Sequence, residues 1–261
     1  MGDEEPDSEE FVEVRCYFVR GRNALAVRAD FGVVYMDHYL HLMQHGIRLD
    51  PGHDALLKDA LAALTLHLAS RPLDEVSAWT THFGDPPLNL FVTGNNHEEN
   101  VIGRVFTQDV SDDGQNLFIA QINDHPKPPR RSVIEFTSDN IFRIVEDYYA
   151  NSEQRLGRFF NHIEEDFVFI TAQPQCDEEW LRGLDDAAVQ TLDADEELSL
   201  LEVRRYRHRC GCTLERILPT LAKVPIDELF EADDEIRIDC PRCGAHYDVA
   251  RSDLEGGGAG Q

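Results

Sequence analysis

The stretch RHRCGCTLER, residues 207–216, places two cysteines one residue apart, at Cys210 and Cys212. A second pair, Cys240 and Cys243, lies in DCPRCGAHY, residues 239–247. The chain has six cysteines in all, so most of them fall in one short C-terminal segment. Thiols grouped in this way indicate a metal site rather than the disulfide framework of a small exported domain.

The two pairs together supply four sulfur ligands, which is the number that tetrahedral zinc takes in structural sites. The C-x-x-C pair has the spacing of a zinc knuckle, and the glycine that follows it suits the tight turn there. In the C-x-C pair the intervening residue is Gly211, which is small enough for both sulfurs to reach one ion. His208 or His246 could instead replace one cysteine as a ligand, and this alternative stays open.

Residues 207–255 form a segment too small to bury much of a core. Domains of this size usually need an additional stabilising element, such as a disulfide or a bound metal ion. Structural zinc supplies one, with apparent binding free energies of about 10–16 kcal/mol in small zinc domains. A permanent structural zinc without any signalling role is the first interpretation of such a site. The second interpretation is a metal site that takes part in signalling. The charged segment that precedes the site favours it, because the stability of that segment depends on its contacts.

The composition limits the classes of protein to which this chain can belong. The chain has 261 residues, of which 42% are hydrophobic, and a formal net charge of -26. That charge opposes binding to nucleic acid and to anionic membranes. The acidic start MGDEEPDSEE is unlike a secretory signal, so we expect a soluble cytoplasmic protein whose residues 1–10 form a disordered acidic tail.

The first two thirds of the chain predict an α/β domain with an antiparallel sheet. Alternating apolar runs predict strands at 11–20, 76–83, 88–94, 101–107, 116–122, 132–137 and 164–174. Helices are predicted at 34–45, at 53–70 and at 138–153, the last capped by Ser138 or Asp139. Of the other two cysteines, Cys16 and Cys176, each is expected to be an ordinary buried or half-buried thiol.

The segment 177–202 changes character, because it holds ten acidic residues against one base, Arg182. Apolar residues nevertheless recur at helical spacing, which predicts an amphipathic helical segment with a crowded negative face. Like charges at this spacing destabilise a helix, so the segment would depend on docking its apolar stripe. The apolar residues are Trp180, Leu181, Leu184, Ala188, Leu192, Leu198 and Leu201.

An arginine run follows this segment directly: Arg204, Arg205, Arg207 and Arg209 precede the first cysteine of the site. Four thiolates on one divalent ion leave a net negative cluster, which these side chains could balance. They could equally pair with the acidic segment or stay solvated, and both alternatives remain open.

Three stretches resemble the family of heat-shock protein thirty-three, a bacterial redox-regulated holdase chaperone. The C-terminal stretch 212–249, from CTLERI to AHYDV, is the most specific of them. GDPPLNLFVTGNNHEENVIGRV, residues 84–105, resembles the strand-turn-strand of that family, and DYYANSEQRLGRFF, residues 147–160, resembles its Ser-Glu-Gln helix.

The resemblance implies an α+β protein: an N-terminal α/β domain with antiparallel sheet and packed helices at 11–175, an acidic metastable helical linker at 176–206, a zinc-binding domain at 207–255 and a flexible tail at 256–261. It implies Zn²⁺ held by Cys210, Cys212, Cys240 and Cys243 when the protein is reduced and inactive. Oxidation would then form the disulfides Cys210–Cys212 and Cys240–Cys243, release zinc and unfold the linker.

The resemblance also implies the partners. The oxidised form would bind unfolded or partly unfolded client proteins without ATP and would form a homodimer. Client binding would use the linker residues Trp180, Leu181, Leu184, Leu192, Leu198 and Leu201.

Two other classes of function remain to be weighed against this one. The first is a zinc-ribbon interaction module with a purely structural zinc. The second is a thiol- or metal-dependent enzyme with Cys16 or Cys176 as nucleophile, but no H-E-x-x-H, G-x-S-x-G or phosphate-binding glycine loop supports it. His97, Glu98 and Glu99 lie together in GNNHEEN, which is read as a solvated hairpin loop rather than a site. We therefore expect a chaperone and not an enzyme.

Overall fold

The computed structural model describes residues 11–111, 114–124, 126–231 and 233–255. The predictions of an acidic tail at 1–10 and a flexible tail at 256–261 lie outside these residues. Within them, no helix is both long and apolar enough to cross a membrane.

A ten-stranded sheet organises the body of the protein, in the order β7-β6-β3-β4-β5-β10-β1-β2-β9-β8. Every neighbouring pair is antiparallel except β10 and β5, which run parallel over a short register. The strands are β1 Val12–Val19, β2 Ala24–Asp30, β3 Glu75–Gly84, β4 Pro87–Asn95, β5 Asn100–Phe106, β6 Leu117–Asp124, β7 Arg130–Glu135, β8 Gly157–Asn161, β9 Asp166–Ala172 and β10 Leu198–His208. The antiparallel sheet predicted from the sequence is confirmed, and it also contains β2, β8 and β10, which were not predicted.

Three helices cover one face of this sheet: α1 (Gly32–Gln44), α2 (Pro51–Ala69) and α3 (Ile141–Asn151). Helix α2 is buried along its whole second half, as its content of alanine and leucine predicts. Helix α3 is capped by Asn140, whose side chain accepts from the backbone N–H of Arg143. The predicted caps Ser138 and Asp139 were therefore wrong, because the helix begins two residues later than its polar signal suggests.

The predicted helical linker is wrong in part, since it consists of three short helices followed by a strand. The helices are α4 (Glu178–Gly183), α5 (Asp186–Gln190) and α6 (Leu192–Asp195), and β10 begins at Leu198. Two of the acidic residues in this segment are N-caps, one of α4 and one of α5. A cap inside the segment starts a new helix, so the segment is not one continuous helix. The Asp177 side chain accepts from the N–H of Trp180, and the Asp185 side chain accepts from that of Ala188.

The apolar stripe of the linker docks on the face of the sheet opposite α2. Leu181, Leu184 and Leu192 are buried there against residues of β1, β2, β8 and β9, and Trp180 packs at the margin. Leu198 is half-buried in the same cluster, whereas Leu201 is 59% exposed on β10. The predicted dependence on docking agrees with this arrangement for all of the named linker residues except Leu201.

Two arginines of the N-terminal domain bind the helical part of the linker. Arg22 pairs with Asp177 at 2.8 Å and with Glu196 at 2.9 Å, and its guanidinium lies over the Trp180 ring. Arg158 donates to the backbone carbonyls of Leu181 and Arg182, which end α4. These contacts relieve part of the charge repulsion that the sequence indicates.

The C-terminal segment has its own small core. It comprises α7 (Leu214–Leu221), α8 (Ile226–Phe230), a two-stranded sheet of β11 (Glu235–Asp239) and β12 (His246–Ala250), and α9 (Arg251–Glu255). Only Phe230, Val249 and Leu254 are buried in its apolar cluster. A two-stranded sheet with so little buried surface is marginal in water, so the segment needs a further source of stability.

The glycine of the GNN turn provides a test of packing in the body of the protein. A Cβ at Gly94 would meet the Leu68 side chain and lie 2.9 Å from the Asn100 carbonyl oxygen. We expect Gly94→Ala to lower the free energy of unfolding by about 2 kcal/mol, the middle of the range for overpacking. Gly183→Ala is the control, because a Cβ there meets nothing within 4 Å, and we expect a change below about 0.5 kcal/mol. Urea unfolding measures both variants, and equal effects would contradict the packing argument.

Candidate metal centre

The four cysteines predicted from the sequence meet in one cluster. Cys210 and Cys212 lie between β10 and α7, and Cys240 and Cys243 lie in the turn from β11 to β12. All four sulfur atoms lie within 4.8 Å of one another. Cys240 and Cys243 are buried, and the other two are half-buried.

The separations of the sulfurs suit a tetrahedral ion. The Sγ atoms of Cys210 and Cys240 are 3.7 Å apart, and those of Cys212 and Cys243 are 3.5 Å apart. Four thiolates around one zinc at the usual bond length would be separated by about 3.8 Å. These residues could therefore hold a metal ion, and soft sulfur donors favour zinc among the common cations.

Backbone conformation explains why both loops can bring two sulfurs to one point. Gly211 has φ +68° and Gly244 has φ +76°, in the left-handed region that glycine tolerates best. In the second loop the Gly244 N–H donates to the Cys240 carbonyl, and the Cys240 N–H donates to the Ala245 carbonyl. The turn of the knuckle is therefore closed by hydrogen bonds, as the sequence predicts from the glycine after the second cysteine pair.

Hydrogen bonds between the sulfurs shift the pKa values of Cys210, Cys240 and Cys243 in different directions. The pKa of Cys240 is lowered because the thiols of Cys210 and Cys243 donate hydrogen bonds to its thiolate. The pKa values of Cys210 and Cys243 are raised by the same contacts, that of Cys210 to about 12. Cys240 therefore loses its proton more readily than Cys210 or Cys243, and a divalent cation would favour loss of the protons from those two thiols as well.

The cluster is attached to the N-terminal domain by contacts that the sequence does not reveal. Ile102 of β5 is fully buried against the sulfurs. The Arg104 Nη1 donates to the Cys240 carbonyl at 3.0 Å, and the His41 Nε2 donates to the Cys243 carbonyl at 3.1 Å. The position of Arg104 within a predicted strand gave no signal of this role, because the contact joins residues 136 positions apart.

The arginine run lies beside the cluster, but most of its side chains contact the N-terminal domain. Arg204 donates to the Leu68 and Arg71 carbonyls and pairs with Glu202. Arg205 lies 3.6 Å from a Glu13 carboxylate oxygen, and Arg207 lies over the Phe11 ring. Arg104 and Arg216 donate to the backbone of the cysteine loops, the latter through the Gly211 carbonyl.

The two histidines considered as alternative ligands lie outside the group of sulfurs. His208 is buried, and its ring stacks edge-to-face on His38 and His41. Burial holds its pKa well below the usual value. His246 Nδ1 lies 2.6 Å from an Asp239 carboxylate oxygen. The potential metal group formed by the described residues consists of the four cysteines alone.

The remaining thiols have the features of ordinary core residues, as predicted. Cys16 is buried and donates to the Ala69 carbonyl, and burial raises its pKa to about 12. Cys176 is half-buried, and burial raises its pKa as well. A thiol with a raised pKa is a poor nucleophile near neutral pH, which argues against the enzyme alternative.

Tyr247 of β12 is a further residue of the site that the sequence did not single out. Its hydroxyl lies 3.2 Å from the Cys212 Sγ and donates to the Cys212 carbonyl at 2.9 Å. We expect Tyr247→Phe to weaken zinc binding at least tenfold, as loss of a hydrogen bond to a ligand usually does. Tyr39→Phe, at an exposed tyrosine of α1, is the matched control. Titration with a competing chelator measures both, and an unchanged affinity in Tyr247→Phe would contradict the assigned role.

Fold and cluster together define a two-domain α+β protein with a C-terminal four-cysteine module. The model of the Hsp33 protein family matches residues 161–250. The "33 kDa chaperonin" proteins of Yersinia pestis (strain Pestoides F) and Yersinia pseudotuberculosis (strain IP 31758) are each 25% identical, over 76% of this chain and 80% of the relative. The crystal structure of a 33 kDa chaperonin from Thermotoga maritima matches with a TM-score of 0.72 at 15% identity, covering 95% of this chain and 97% of that one.

These comparisons agree on the Hsp33 family, which confirms the resemblance found in the sequence. They also confirm the fold class, because the structural match extends over both domains. The relatives are chaperonins by name, in agreement with the prediction of a chaperone rather than an enzyme.

Proposed function

We propose that this protein is a redox-regulated, ATP-independent holdase chaperone of the cytoplasm. The general activity, that of a chaperone, follows from the family. The redox regulation is supported by one observation above all. The four sulfurs form a single cluster directly after a linker whose apolar side chains are buried on the sheet.

In the reduced state, Cys210, Cys212, Cys240 and Cys243 would hold Zn²⁺, which keeps bound sulfurs as thiolates. The reduced protein is then inactive because Leu181, Leu184 and Leu192 are covered by the sheet. The linker and the cysteine module are continuous in the chain, so the fold of the module supports the far end of the linker.

Oxidation would start at one thiolate of the cluster. A peroxide accepts two electrons from the thiolate sulfur, which becomes a sulfenic acid as hydroxide leaves. A neighbouring cysteine sulfur then attacks the sulfenic sulfur, and the S–S bond forms as a second hydroxide leaves. The site then lacks two of its four donors and no longer retains the metal.

We propose the pairing Cys210–Cys212 and Cys240–Cys243 for the two disulfides. Residues so close in sequence can form a bond even after the module has lost its fold. The cross-pairs, Cys210 with Cys240 and Cys212 with Cys243, are also near each other in the folded protein, at 3.7 and 3.5 Å. Peptide mapping of the oxidised protein separates the two patterns, because only the cross-pairs join peptides from both loops.

Loss of the metal would remove most of the stability of the module, and the linker would then detach. Its exposed apolar stripe would bind unfolded or partly unfolded proteins, while the charge of -26 keeps the complex soluble. We further propose that the oxidised form is a homodimer, which size-exclusion chromatography with light scattering tests directly.

Zinc release is the experiment that tests the regulation. The reduced protein should contain about one zinc per chain, the stoichiometry of a four-thiolate site. Hypochlorite or peroxide should release this zinc into a chromogenic chelator, and reductant with zinc should restore the starting state. Oxidised protein alone should suppress aggregation of a heat-unfolding test protein. Zinc retained under oxidant would instead favour a structural site in an interaction module.

A further inference from the structure

Strand β10 lies in a gap between two parts of the sheet, with β5 on one side and β1 on the other. This gap is called the channel. The strand pairs antiparallel with β1 from Val12↔Tyr206 to Val19↔Leu198. On its other side it pairs parallel with β5 only at its C-terminal end, where Arg207 lies beside Asn100 and His208 beside Val101. Strand β1 therefore relies on β10 for all of the hydrogen bonding on one of its edges.

Side-chain burial holds β10 in this channel only weakly. Leu200, Leu201 and Val203 are 55%, 59% and 43% exposed, although they are apolar. Only Tyr206 and His208 are buried, both at the C-terminal end of the strand. Between Leu200 and Val203 the strand is held mainly by backbone hydrogen bonds to β1, which any extended chain could replace.

Both ends of β10 join segments whose fold is conditional. The linker helices precede it, and Cys210 follows two residues after its last residue. Beyond the strand itself, the N–H of Arg209 donates to the Val101 carbonyl and fixes the start of the cysteine module on β5. Once the module and the linker helices unfold, β10 loses its folded neighbours in the chain at both ends. The strand is then kept in place by its pairing with β1 and β5 and by the side chains of its C-terminal half.

We propose that β10 is a removable occupant of this channel and that the vacated edge of β1 binds extended segments of unfolding proteins by strand addition. This inference rests on the proposed function and adds a second client surface to the linker itself. The edge of β1 presents unpaired N–H and C=O groups, which bind a partner strand regardless of its sequence.

The side chains of β10 indicate the chemistry of the segments that would bind best. Its first half carries three leucines, and its second half carries three arginines. Arg204 donates to the carbonyls of Leu68 and Arg71 at the end of α2, which attract a cation. Arg205 lies near Glu13 of β1. We therefore expect a preference for extended segments that combine apolar and basic residues, which also complement the net charge of -26.

A synthetic peptide of residues 198–208, LSLLEVRRYRH, tests the proposal against a scrambled peptide of the same composition. With the oxidised protein and heat-unfolding luciferase as the client, the peptide should compete with the client for the edge of β1. It should do so at a concentration at least tenfold lower than the scrambled peptide. An Arg204→Gln peptide should compete less well than the natural one, because it loses the contacts with the end of α2. Equal competition by the natural and scrambled peptides would overturn the proposal.

Hydrogen exchange of residues 12–19 gives an independent reading. The amides of this strand that bond to β10, and not those that bond to β2, should exchange slowly in the reduced protein, fast after oxidation, and slowly again with the peptide or the client. If the oxidised protein suppresses aggregation while the amides of β1 that bond to β10 stay protected without a peptide or client, β10 has not left and the proposal is wrong. If the oxidised protein does not suppress aggregation at all, the proposed function fails and this inference falls with it.

Discussion

Replacing Cys243 with serine is expected to abolish tight zinc binding and to unfold residues 207–255 while the N-terminal domain stays folded. Cys243 is buried within 4.8 Å of the other three sulfurs, so its loss removes one of four donors. The module has few buried side chains of its own. Metal binding worth about 10–16 kcal/mol in comparable domains would therefore be its main source of stability.

Metal analysis and hydrogen exchange measure this effect, and Cys176→Ser is the matched control. That variant removes a thiol of the same type, half-buried in the linker cluster and outside the metal group. It should retain about one zinc per chain and full protection of the module. If Cys243→Ser also kept its zinc and its protection, the four-sulfur cluster would not be what stabilises the module.

Replacing Leu181 with alanine is expected to detach the linker and to produce holdase activity in the reduced protein. Leu181 is completely buried between the linker and the sheet. Truncation of a buried leucine to alanine costs about 2–5 kcal/mol. The linker helices are short, so their other contacts contribute too little free energy to offset this loss.

Trypsin cleavage at Arg182, which lies beside Leu181 in α4, reports detachment of the linker, and an aggregation assay under reducing conditions reports activity. Leu200→Ala is the control, because that side chain is 55% exposed and its truncation should change neither reading. Cleavage of the Leu181→Ala protein at the rate of the unaltered protein would show that docking does not depend on this cluster. Fast cleavage without activity would show that an exposed linker does not suffice for client binding.

The cysteine cluster could be predicted from the sequence because residue type and spacing alone identify a metal site of this kind. Two pairs of thiols and two glycines specified both loops without knowledge of the rest of the fold. The strands around the GNN turn were equally clear, because short alternating runs are separated there by turn residues. In each case the determining interactions lie within a few residues of one another.

The linker shows where the prediction failed. The leucine spacing predicted helix as far as residue 202, yet the chain turns into strand β10 at Leu198. The reason lies far away in sequence, since the edge of β1 provides hydrogen-bonding partners that no local pattern reveals. Arg22, Arg104 and His41 were missed for the same reason, because each contacts a segment more than a hundred positions away.

The position of β10 also has a consequence for the order in which the protein is made. Without this strand, β7-β6-β3-β4-β5 and β1-β2-β9-β8 are separate sheets linked only through the helices that cover them. A ribosome completes all nine of those strands before it reaches Leu198. The nascent chain therefore passes through a stage with two unjoined sheets, and the last strand of the large sheet to be synthesised is the one that unites them.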